Sequence, residues 1–158
     1  MSRTERTIAA PPDAVWAVLA EPDNYAHWVV GSRDVRDADP GFPAAGTRFH
    51  HTLAMGPFDL KDHSEVTRSE PPTYLELEVK ARPFGRGYVK LELRPVGGAT
   101  HVVMLEGPLS PGARIAHNPI ADLLLHGRNV EALNRLAALA EGREPTPKTT
   151  RNSGGAAA

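Results

Sequence analysis

Three ionisable side chains in this 158-residue chain fall at positions where a strand would turn them toward an apolar interior: His51, Asp62 and Glu106. Side chains alternate along a strand, so His51 shares a face with Phe49, Leu53 and Met55, and His50 takes the opposite face. Asp62 and Ser64 share parity with Phe58, Leu60 and Val66. Glu106 shares parity with Val102 and Met104, although Val103 and Leu105 on the other face are apolar too. An imidazole backed by a carboxylate is an acid/base pair, because the carboxylate fixes the tautomer and raises the basicity of the ring. The same pair read structurally is a His–Asp hydrogen bond at the end of a pocket. Glu106 has two readings as well. One is a buried general acid whose pKa is raised because burial disfavours the charged form. The other is a strand-end carboxylate that is paired or wet, since charged groups are seldom fully buried.

Other chemistries find less in the sequence. Seven histidines raise the question of a metal, with His50, His51, His63 and His101 on strands that can neighbour one another. The adjacent His50 and His51 face opposite ways, however, and no compact His/carboxylate spacing occurs, so neither a metal nor a cofactor is expected. The chain has no cysteine, which excludes disulfides, thiolate metal sites and a cysteine nucleophile. There is no G-x-S-x-G elbow for a nucleophilic serine and no G-x-G-x-x-G dinucleotide turn. The net charge is −1 with both signs interspersed. That argues against a nucleic-acid partner and against a polybasic membrane anchor. No window of about eighteen uncharged apolar residues suggests a membrane span, and residues 1–10 lack a signal-like apolar run, so a cytoplasmic protein is expected.

The elements that would hold these residues follow from periodicity and turn chemistry. Residues 4–9 read as a strand. Pro11-Pro12-Asp13 opens a first helix with Val15, Trp16, Val18 and Leu19 as its stripe, and Pro22 stops it. Asp23 is the expected N-cap of a second short helix over 24–29, ended by Gly31. From residue 32 the period changes to two. Strands are expected at 35–38, 46–55, 58–69, 73–81, 88–94 and 100–106, separated by Gly- and Pro-containing turns such as Gly56-Pro57 and Gly97-Gly98. A loop over 107–119 would be a lid or a plain connector. A long helix is expected over 120–142, with Asn118 as cap and Pro119 at its first position. Residues 1–142 would form one domain and 143–158 a disordered tail. One long helix beside an antiparallel meander is an α+β architecture.

On the long helix Val130, Leu133, Leu136, Ala137 and Ala140 form the expected inward stripe, with Arg128, Glu131 and Arg135 on the solvated side. Asn129 falls at the edge of the stripe and His126 near it. The expected lining of the space between helix and sheet is therefore Trp28, Phe49, His51, Leu53, Asp62, Leu77, Met104, Glu106, His126 and Asn129. Apolar walls with a few convergent polar groups are the usual composition of a ligand pocket.

The order of elements and several motifs resemble the START-like (SRPBCC) superfamily, in particular its polyketide cyclase/dehydrase-like branch. The similar residues are Pro12-Asp13-Ala14-Val15-Trp16, Asp23-Asn24-Tyr25-Ala26-His27-Trp28, Gly46, Gly56-Pro57-Phe58, Pro71-Pro72, Gly98-Ala99-Thr100, Glu106, Arg128-Asn129, Leu133 and Leu136. The resemblance covers roughly residues 3–142. It implies a helix-grip fold: a curved antiparallel sheet of six to seven strands wrapped around a long C-terminal helix, with two short helices after the first strand. It also implies a small hydrophobic ligand such as a lipid or polyketide; the chain itself is expected to be a monomer or homodimer. Three roles are compatible with it. The first is a carrier or sensor that binds the ligand without changing it. The second is a cyclase or dehydratase using His51 and Asp62 to remove a proton beside a carbonyl. The third is a co-chaperone-like interaction module. Fold does not choose among them, so the site must.

Overall fold

The period-two stretch from residue 32 onward forms six consecutive antiparallel strands. These are β2 (Ser32–Ala38), β3 (Arg48–Met55), β4 (Phe58–Glu70), β5 (Tyr74–Ala81), β6 (Gly85–Val96) and β7 (Ala99–Pro108). The opening strand β1 (Ser2–Ile8) pairs with β7, giving one seven-stranded sheet in the order β1-β7-β6-β5-β4-β3-β2. This computed structural model describes residues 1–55, 57–81, 85–111 and 119–143. The expected turn at Gly56, the Asn118 cap, most of the 107–119 loop and the tail from 144 onward lie outside the described residues.

Most strands run longer than alternation alone predicts, because pairing with a neighbour carries a strand past its last apolar residue. The β6–β7 hairpin shows why it is tight. Val96 pairs with Ala99 across a two-residue turn, and Gly97 takes φ +59°, a left-handed conformation that favours glycine. Register shifts interrupt β2 against β3 and β4 against β5 between Val66 and Arg68. An extra residue on one strand bends it and increases local twist, which helps the sheet curl.

Between β1 and β2 lie α1 (Pro12–Ala20), a 3₁₀ turn (Pro22–Asn24) and α2 (Tyr25–Trp28). Pro12 begins α1 where a missing N–H costs nothing. The expected cap at Asp23 is replaced: the Glu21 carboxylate, two residues earlier, accepts from the Asp23 backbone N–H at 3.4 Å. The long helix α3 (Pro119–Ala140) packs along β1, with α1 and α2 against it.

Ile8, Val15, Leu19, Val66, Leu75, Leu91, Val102, Leu136 and Ala137 are fully buried in one core. Continuous with that core, Trp28, Phe49, Leu77, Val89, Met104 and Ala132 are buried beside a hollow. Two expectations about faces need correction. Val130 is 40% exposed, because the buried face of α3 runs through Asn129, Ala132, Leu133, Leu136 and Ala137 instead. Phe58 is 70% exposed, because it opens β4 at the hairpin tip, beyond the reach of α3.

An internal cavity as candidate functional site

The hollow has a volume of about 310 Å³, near the lower end of the range for small-molecule sites. Its walls come from every layer. β3 supplies Phe49, His51 and Leu53, and β4 supplies Ser64. β5 gives Leu77 and Val79, β6 gives Gly85 to Val89, and β7 gives Met104 to Pro108 through Met104, Glu106, Gly107 and Pro108. Leu125, Arg128, Asn129 and Ala132 close it from α3, and Tyr25, Trp28, Val29 and Val30 border it after the first helix.

Of the residues expected to line this space, Trp28, Phe49, His51, Leu53, Leu77, Met104, Glu106 and Asn129 do so. Asp62 and His126 are not among the lining residues. Asp62 is buried at 4% exposure on the same face as His51, its direct cross-strand neighbour. Its carboxylate turns along its own strand to accept the His63 N–H at 2.9 Å. His126 is exposed and its Nδ1 lies 3.4 Å from Thr4 Oγ1, on the β1 side of α3. Arg128 was expected in solvent. It lines the cavity, because its long side chain reaches back to bond Glu106 at 2.7 Å, keeping its head half exposed. The Glu131–Arg135 pair forms as its spacing predicts, at 2.9 Å. Ala132 and Val89 were overlooked, yet both carried a signal. Ala132 lies three residues after Asn129, and Val89 shares parity with Leu91 and Leu93.

An aromatic cluster holds one wall in place. The Tyr25 ring sits 5.1 Å from Trp28 and 4.8 Å from Phe49, and Phe49 lies 5.5 Å from both Phe42 and His51. Such tilted and edge-on arrangements are favoured by ring quadrupoles. The Tyr25 hydroxyl donates to the Leu19 carbonyl at 2.9 Å, tying α2 to the end of α1. Its complete burial raises the phenol's pKa far above its ordinary value, so it acts only as a neutral donor.

His51 is strongly perturbed as well. Burial is the largest influence and pushes its pKa down to about 4; the nearby Asp62 charge and the His63 backbone raise it, and the charges of Arg36 and His63 lower it. Arg36 lies close, donating to the carbonyl oxygens of His51 and Asp62 at 3.3 and 3.2 Å. Nε2 of the imidazole is 3.0 Å from Ser64 Oγ, and Nδ1 has no hydrogen-bond partner among the described residues. Ser64 thus bonds the ring on the Nε2 side, and the net effect of the surroundings is to lower its basicity. Outside the cavity His50 and His63 approach to 5.7 Å. Among the described residues no group of three or more His, Cys, Asp or Glu side chains is placed to hold a metal ion.

Buried polar atoms are almost always hydrogen-bonded, and an unmade bond costs about 1–3 kcal/mol. Four such orphans among the described residues belong to cavity-lining side chains: Trp28 Nε1, His51 Nδ1, Glu106 Oε2 and Asn129 Nδ2. Trp28 and Asn129 carry donors, Glu106 an acceptor, and His51 either one according to its tautomer.

A seven-stranded curved sheet gripping a long C-terminal helix is the helix-grip fold of the START-like superfamily. Residues 2–141 match the model of the family described as polyketide cyclase/dehydrase and lipid transport, and the chain belongs to that family. Among solved structures it is similar to protein NE0264 from Nitrosomonas europaea, with 20% identity, 89% and 93% of the two chains covered and a TM-score of 0.70. A protein from Arthrobacter aurescens gives 13% identity, 94% and 90% coverage and a TM-score of 0.72. CalU16 from Micromonospora echinospora gives 19% identity, 94% and 78% coverage and a TM-score of 0.63. At these identities the likeness is one of fold. No curated protein matches the chain. No helix among the described residues is long and apolar enough to cross a membrane.

Proposed function

We propose that this protein binds one small amphipathic molecule in its internal cavity and acts as a carrier or sensor for it. The observation that carries this reading is the hollow itself: about 310 Å³ with largely aliphatic and aromatic walls and four unpartnered polar atoms on its lining residues. A core selected only for stability would fill such a space, since lost packing around a cavity is destabilising. A bound molecule with an apolar body and a few polar groups would restore those contacts and give the orphaned atoms partners.

The cyclase/dehydratase reading draws less support from the same geometry. A general base works best with a pKa near the operating pH, and burial holds His51 at about 4. An imidazole with that pKa is neutral near neutral pH and is a weak proton acceptor. Its pairing with Ser64 suits it to hold a ligand oxygen or N–H rather than to abstract a proton.

The test uses the neutral apolar fluorophore N-phenyl-1-naphthylamine. Titration into the protein should give a saturable rise in emission with one site per chain. Ala132→Phe, which places a ring in the hollow from α3, should weaken that binding by at least about tenfold while leaving the circular dichroism spectrum unchanged. Equal affinity in the folded variant would sink the proposal.

A further inference from the structure

Glu106 and Arg128 meet in the wall of the hollow, and we propose that this pair is a charge filter. It admits neutral amphiphiles that carry a hydroxyl or similar hydrogen-bond donor and rejects those that end in a carboxylate. The inference deepens the binding role proposed above and rests on it.

The argument begins with the unequal placement of the two charges. Both residues line the cavity, and Arg128 Nη2 donates to Glu106 Oε1 at 2.7 Å, joining α3 to β7. The arginine side chain is 44% exposed and the glutamate only 18%. Water therefore screens the positive partner more than the negative one. Glu106 Oε2 is buried and accepts no hydrogen bond among the described residues. Glu106 thus contributes to the cavity wall with one oxygen buried and unbonded among the described residues and the other held by a guanidinium that is already engaged. Arg86 also lines the cavity, but its guanidinium is tied to Glu78 at 2.9 Å and its side chain is half exposed, so it does not reverse the sign.

A ligand carboxylate brought here would meet a like charge in surroundings that screen poorly, and like charges at short range disfavour one another's ionised form. A ligand hydroxyl would instead donate to Oε2 and form a charge-assisted bond, the stronger kind. The orphaned donors Trp28 Nε1 and Asn129 Nδ2 call for an acceptor on the same molecule, which a hydroxyl or carbonyl oxygen supplies. The class is thus a neutral ring or chain that both gives and takes hydrogen bonds, rather than a fatty-acid-like anion.

Isothermal titration calorimetry of the full chain near neutral pH with 2-naphthol, 2-naphthoate and naphthalene tests this, because the three share one ring system and differ in the polar group. The expected order places 2-naphthol tightest, at least about tenfold tighter than 2-naphthoate. Glu106→Gln should bring those two within about threefold of each other by weakening the naphthol and relieving the naphthoate. A thermal melt checks that the variant is folded, and the wild-type ranking stands without it. If 2-naphthoate binds the wild type as tightly as 2-naphthol, or a folded Glu106→Gln leaves their ratio unchanged, the filter is wrong while the cavity remains a binding site. If none of the three binds, the binding role fails and the filter with it.

Discussion

At the scale of single residues, His51 shows how burial overrides a neighbouring charge. Asp62 stands directly across the strand pair and favours the protonated ring, but desolvation is the larger influence and the pKa falls to about 4. The consequence for stability has a definite sign. Above the ordinary value of 6.5 both folded and unfolded chains hold a neutral ring. As pH falls from 6.5 toward 4 the unfolded chain takes up a proton that the folded chain refuses, so stability is lost across that window and not further below it. At about pH 5 the loss traceable to this one ring should be about 2 kcal/mol relative to about pH 7. Urea unfolding of the wild type and of His51→Gln at both pH values measures it. The glutamine variant should lose less by that amount, whereas parallel losses would show that burial does not control the ring.

Arg128 and Val130 teach a second lesson at this scale. Hydropathy assigns the valine to the interior, yet Val130 is 40% exposed, while the arginine keeps its charge in solvent as expected and also lines the cavity. The face of α3 that approaches the sheet is set by what fits close to the backbone, here Asn129 and Ala132, and apolarity alone does not report fit. Arg128 carries its charge outward on a flexible stem while the stem covers apolar surface.

At the scale of elements, alternation read most strands well because one face of this sheet is covered and the other is not. Leu75, Leu77 and Leu93 all lie where parity places them. Strand ends were read less well, since they depend on cross-strand partners that a local pattern does not contain. Residues 85–87 of β6 are an example, where Gly85 and Gly87 give no alternation at all. A close approach in the sheet involves one of its glycines. Tyr88 pairs directly with Gly107, and its ring lies over the position where a side chain would begin. A Cβ at Gly107 would stand 2.6–2.9 Å from the Tyr88 ring and hydroxyl. Gly107→Ala should therefore cost about 1–2 kcal/mol by displacing that ring. In combination with Tyr88→Ala the cost should largely disappear, a non-additivity expected of residues in contact. Denaturant unfolding of the two single variants and the double variant measures the coupling, and additive losses would mean the ring is not what the new methyl group meets.

At the scale of the whole molecule, the fold combines a continuous buried core with a hollow of about 310 Å³ beside it. Leu75 and Leu77 are the same residue type on the same face of β5 and both belong to the core, yet only the second also borders the cavity. Val102 and Met104 on β7 divide in the same way. Sequence could identify this shared face but not the point where the layers part, because that depends on the distance between helix and sheet. Register shifts and twist set that distance, and no side-chain type encodes it locally. A guest in the hollow would also stabilise the chain by mass action, in proportion to the logarithm of its concentration over its dissociation constant.

The central claim is that the space between sheet and helix takes a guest, and the most direct measurement is an intermolecular NOE experiment on the protein with bound N-phenyl-1-naphthylamine. Ring protons of the probe should show NOEs to methyl groups of Leu53, Leu77, Val89 and Met104, all of which line the cavity. NOEs confined to the exposed Leu123, Leu124 and Phe58 would place the probe on the surface and contradict the account.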